Sequence, residues 1–102
     1  MSDHLRVYII PDGRFWFAQG IEVDYGVQGD SVDEAKRYFE DGLERTVELN
    51  LERLGNVDGL SALESQRFMD ELGDLARFRL LSSTPKVDWA LPFSAIDYYV
   101  LP

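Results

Sequence analysis

The sequence predicts an α+β fold: an antiparallel β-β-β meander, a long helix, a second helix and a closing C-terminal strand, with the helices packed on the sheet. Apolar and polar residues alternate in short runs through the first third of the chain, helical spacing takes over after Ser31, and strand-forming residues return at Ala95. No linker, repeat or low-complexity segment interrupts the 102 residues, so a single domain spanning residues 1–102 is expected.

Leu5–Ile10 is the first strand, with Leu5, Val7 and Ile9 on one face and Arg6, Tyr8 and Ile10 on the other. Pro11-Asp12-Gly13 supplies turn chemistry, and Arg14–Ala18 follows as the second strand. Ile21–Gln28 alternates as a third, and connections this short make the three strands antiparallel. On this reading Phe15 and Phe17 join Leu5, Val7 and Ile9 beneath the long helix, while Tyr8, Ile10 and Trp16 form a second apolar face. That face requires a cover, either the second helix or a partner or second subunit.

The stretch Val27–Ala35 marks the passage from strand to helix. Gly29 and Asp30 suit a turn, and Ser31 stands three residues before Glu34, the spacing of a capping box. The Ser31 hydroxyl is expected to accept from the Glu34 N–H, and the Glu34 carboxylate to return to the Ser31 N–H. The helix then runs to about Leu54, with Val32, Ala35, Phe39, Leu43, Thr46, Val47 and Leu54 on its apolar stripe and Gly42 at a close-packing position. Its other face is charged, with Asp33–Arg37 and Asp41–Arg45 spaced as ion pairs, and Gly55-Asn56 stops it. A second helix is expected over about Ala62–Phe78. Arg77–Leu81 reads either as its extension or as extended chain, Ser82–Lys86 reads as a loop, Pro92 interrupts the segment after that loop, and Ala95–Leu101 closes the sheet.

Nineteen acidic residues against ten basic ones give a formal charge of −9 and a pI near 4.4. Nucleic-acid affinity comes from Lys and Arg displacing counterions, so direct DNA or RNA binding is not expected, whereas a basic protein partner would be attracted. The absence of cysteine excludes disulfides and thiol chemistry. Met1–Arg6 lacks the features of a signal peptide and no apolar run reaches membrane-span length, so a soluble, cytoplasmic protein is expected.

Catalytic chemistry is sparse. His4 is the single histidine and falls in a terminus expected to be mobile, which makes it a bystander. There is no Ser/His/Asp set, phosphate-binding glycine loop or histidine cluster, and most carboxylates fall on the outer face of a helix. The expectation is a protein that is not an enzyme and holds no cofactor or metal.

Gly29, Asp30, Ser31, Glu34 and Ala35, with the aromatic strand Phe15-Trp16-Phe17-Ala18 before them, resemble the HicB-like antitoxin family. Its β-β-β-α core carries a Gly-Asp-Ser/Thr turn followed, two residues on, by Glu-Ala. The resemblance implies a partial ribonuclease-H-like fold in an antitoxin that neutralises a small basic HicA-type ribonuclease, commonly as a dimer or tetramer. Ribonuclease H enzymes need a metal-holding carboxylate on the first strand, and Leu5–Ile10 has none. Only Phe93–Pro102 follows the last loop, so the operator-binding module common in the family is not expected, and the second helix is extra. Gly29, Asp30, Ser31 and Glu34 are thus read as a structural turn and cap, and Tyr8, Trp16 and Tyr99 as partner or oligomer contacts, aromatic residues being favoured at hot spots. The alternative function is a small acidic inhibitor that mimics nucleic acid against a nuclease or other nucleic-acid-binding enzyme.

Overall fold

A computed structural model describes residues 3–56, 73, 77–86 and 89–101. The described elements are β1 (His4–Asp12), β2 (Phe15–Gly20), β3 (Gly26–Gly29), α1 (Val32–Leu54), β4 (Arg79–Pro85) and β5 (Ala95–Val100). They form a mixed five-stranded sheet in the order β3-β2-β1-β5-β4, in which β5 runs parallel to β1 and the other neighbours are antiparallel. The α+β class and the β-β-β-α order agree with the sequence. The expected second helix, about Ala62–Phe78, lies outside the described residues except for Gly73, Arg77 and Phe78, the last of which leads into β4.

α1 packs on one face of the sheet through Ala35, Phe39, Leu43 and Val47, one side chain per turn. Beneath it lie Leu5, Val7 and Ile9 of β1, Ala18 of β2, and Ile96 and Tyr98 of β5, all fully buried. Gly42 permits the approach of Tyr25, since a methyl there would fall on the Tyr25 hydroxyl. The expected core position Leu54 is instead 62% exposed. A helix this long spans about 34 Å, whereas a six-residue strand spans about 20 Å, and no α1 side chain is buried beyond Val47.

Three boundaries differ from expectation. β1 continues through Asp12, and a two-residue connection, Gly13-Arg14, joins it to β2, with Gly13 at a φ of 64°. Ile9 therefore faces Ala18 and Pro11 faces Trp16, an odd displacement from the register that a Pro11–Gly13 turn would impose. Because strand side chains alternate, this exchanges the faces of β2: Trp16 and Ala18 lie under α1, and Phe15 and Phe17 lie on the opposite side. The third strand begins only at Gly26. Before it the chain makes a closed excursion in which Gly20 N–H donates to Tyr25 O and the Glu22 carboxylate takes the Arg6 N–H. Val23 nevertheless joins the helix-side core and Ile21 the opposite cluster. Finally, the expected loop Ser82–Lys86 is mostly strand. Ser82–Pro85 belong to β4, at one end of the sheet, where an unpaired side and a terminal proline are tolerated, with a register shift between Leu80 and Ser82. Among the described residues no helix is long and apolar enough to cross a membrane.

Burial raises the phenol of Tyr98 well above its ordinary range, helped by the Glu40 carboxylate, and burial also raises Tyr8 and Tyr25. Above about pH 10 the unfolded chain loses phenolic protons that the folded chain keeps, so stability is complete below that pH and falls above it. The slope is about 1.4 kcal/mol per pH unit for each proton retained. Denaturant unfolding between pH 8 and 11 should show this decline, and Tyr98→Phe should make it shallower; an unchanged slope would refute the assignment to Tyr98.

Candidate functional site

The stretch Gly29–Ala35 is a mechanical joint. Gly29 is buried, and a Cβ on it would stand 2.6 Å from Ala35 N and 2.9 Å from Ala35 Cα, so the end of β3 meets the first turn of α1 backbone to backbone. Ser31 is extended, and its Oγ accepts from the Glu34 N–H at 3.1 Å. The reciprocal half of the expected box is replaced: the Glu34 carboxylate accepts from the Tyr38 hydroxyl at 2.7 Å, one turn further on. Asp30 is exposed at the turn. These residues position the helix, and the hydrogen bonds of Ser31 and Glu34 stay within the first turns of α1.

The expected contact residues separate. Tyr8 and Tyr99 stack with ring centres 5.0 Å apart, and Phe78 meets Tyr8 edge-on at 4.9 Å. Tyr8 is thereby buried to 4% exposure, with Ile21 and Phe78. Tyr99 is half-buried at the margin of the same cluster. Trp16 is on the other side of the sheet, against the α1 core, so the expected grouping with Tyr8 does not form.

A polar row at the opposite end of the strands was not foreseen. His4 opens β1 rather than lying in a mobile terminus, and its Nδ1 sits 2.9 and 3.0 Å from the two Asp97 carboxylate oxygens. A carboxylate accepts, so Nδ1 carries the hydrogen. The Ser83 hydroxyl donates to Asp97 Oδ1 at 2.5 Å, and the row ties β1, β5 and β4 together. Arg6 adds a two-point contact to Glu22, through its backbone N–H and its Nε, each at 2.7 Å. Residues as distant in sequence as 4 and 97 leave no local signal. Only the fold brings them together.

Serine, histidine and aspartate are all present, but the order is wrong for nucleophilic catalysis. The carboxylate lies between hydroxyl and imidazole, whereas an activated serine gives its proton to the imidazole directly. Among the described residues no group of three His, Cys, Asp or Glu side chains could hold a metal ion.

The outer face of α1 carries a run of carboxylates. Asp41, Glu44, Glu48 and Glu52 recur at helical spacing and are all exposed. Lys86 pairs with Glu44 at 2.6 Å, but Glu48 and Glu52 have no ion-pair partner among the described residues, and neither Asp33–Arg37 nor Asp41–Arg45 closes as a pair. Leu49, Leu51 and Leu54, exposed by 39%, 41% and 62%, accompany the carboxylates along the overhanging end. Compared with protein-family models, with curated proteins and with solved structures, the chain finds no match in any of the three.

Proposed function

We propose that this chain is a non-enzymatic, HicB-like binding protein of antitoxin type that neutralises a basic protein partner, with a HicA-type toxin ribonuclease as the candidate. The carboxylate stripe of α1 carries the reading. Glu44, Glu48 and Glu52 stand four residues apart, where like charges repel by about 0.2–0.5 kcal/mol per pair, and of the three only Glu44 closes an ion pair among the described residues, with Arg45 alongside in the same surface cleft as Glu44 and Glu48. A basic surface laid against α1 would relieve that repulsion, and its approach would be accelerated by the net charge of −9. The β-β-β-α order and the Gly29–Ala35 joint support the HicB-like form of the proposal. The shared hydrogen bonding of His4 and Ser83 to Asp97 supports a non-catalytic role, because both groups are held by one carboxylate.

Co-expression with the product of the adjacent gene tests the reading. A small basic protein that arrests growth alone, is tolerated when this chain is present and co-elutes with it is the expected result. No complex and no relief of toxicity would overturn it. The same stripe also favours a second reading, an acidic inhibitor that mimics nucleic acid; stable association with a large nucleic-acid-binding enzyme instead would select that one.

A further inference from the structure

Lys86 shows what the second half of α1 can hold. Its ammonium donates to Glu44 Oε1 at 2.6 Å and lies 5.7 Å from the centre of the Trp89 ring, with the side chain only 18% exposed. The ring is fixed in turn, since Trp89 Nε1 donates to Phe93 O at 2.7 Å. One carboxylate and one aromatic face thus already seat a lysine.

Beside that seat a groove runs between α1 and Trp89-Ala90. Val47, Leu51 and Trp89 supply its apolar surface, and Glu44 and Glu48 its carboxylate rim. Glu44 is engaged by Lys86, whereas Glu48 is exposed and closes no ion pair among the described residues. Lys and Arg carry an apolar stem beneath a charged head and are attracted to tryptophan faces, which matches both halves of this lining. A phosphate or an anionic lipid surface would meet the carboxylates unfavourably.

We propose that this groove receives Lys or Arg side chains from a basic amphipathic segment of the protein partner, their stems along Val47 and Leu51 and their cations at Glu48 beside Trp89. The inference rests on the basic-partner reading and names the surface that serves it. Charge complementarity commits the groove to a cationic occupant, and the exposed Leu51 favours an amphipathic segment over a purely charged one.

A synthetic amphipathic helical peptide of leucine and arginine is the probe, titrated into the full chain at low ionic strength and followed by calorimetry. Glu48→Lys should weaken binding by about tenfold or more, and Leu51→Ser should weaken it severalfold, whereas Asp12→Lys, the same charge change at the exposed end of β1, should have less than about a twofold effect. Circular dichroism checks that each variant is folded. Equal weakening by Glu48→Lys and Asp12→Lys would overturn the groove as the site and attribute binding to net charge. Absence of peptide binding by the unaltered chain would also overturn it, while the co-expression complex judges the binding-protein reading separately.

Discussion

Phe39→Ala is expected to cost about 3–5 kcal/mol of folding free energy, the range for removing a fully buried aromatic side chain. Phe39 is 0% exposed at the centre of the α1 contact. Its ring meets Tyr25 edge-on with centres 5.3 Å apart and Tyr98 edge-on at 6.4 Å, and a Cβ on Gly20 would come within 3.3 Å of it. Truncation would strip the contact between helix and sheet from three strands or their connections at once, and the surrounding strands cannot all move inward to fill the space. Urea unfolding followed by circular dichroism should show a lower midpoint with little change in slope. Leu54→Ala, at a position 62% exposed, should stay within about 0.5 kcal/mol of the unaltered chain. A Phe39→Ala loss no larger than that of Leu54→Ala would mean that α1 is not docked through Phe39.

Gly29→Ala is expected to cost about 1–3 kcal/mol, the usual range for overpacking, and the upper end applies because the obstruction is backbone. The added methyl would stand 2.6 Å from Ala35 N and 3.0 Å from Glu34 C, neither of which can rotate away. Relief requires the end of β3 or the first turn of α1 to shift, which strains the Ser31 cap and the Ala35 N–H bond to Ser31 O at 2.9 Å. The variant should unfold at lower denaturant concentration than Ser31→Ala, which removes the cap alone at about 1 kcal/mol. If Gly29→Ala proves as stable as the unaltered chain, β3 and α1 do not meet as closely as described.

Local chemistry was the legible part of this fold. Ser31 and Glu34 act within one turn of each other, so their spacing announces the start of α1, and Gly55 ends it with a left-handed φ of 73°. The alternation in β1 likewise places Leu5, Val7 and Ile9 under the helix and Tyr8 on the other side. The differences at Trp16, β4 and His4 share one cause: each depends on a partner distant in sequence. The face of Trp16 is set by whether the hairpin closes at Asp12–Phe15, and a displacement by an odd number of residues reverses it. β4 is a strand because β5 offers it a neighbour, although Ser-Ser-Thr-Pro reads as loop composition. His4 acquires its role from Asp97, at the other end of the chain.

The candidate site shows the same division. The acidity of α1 and the cap residues could be read directly, but the groove beside Trp89 could not. Lys86, Glu44 and Trp89 meet only because the docked middle of α1 passes beside the segment by which the chain leaves β4 for β5.

Calorimetric titration of the chain with the proposed basic partner, sought as the product of the adjacent gene, at about 0.1 M and about 1 M salt, tests the central claim most directly. The screening length falls from about 10 Å to about 3 Å between those conditions. A complex anchored on the carboxylates of α1 should therefore form at the lower salt and weaken sharply at the higher. No binding at the lower salt, or an affinity indifferent to salt, would contradict the claim that this acidic helix face is what the protein presents to its partner.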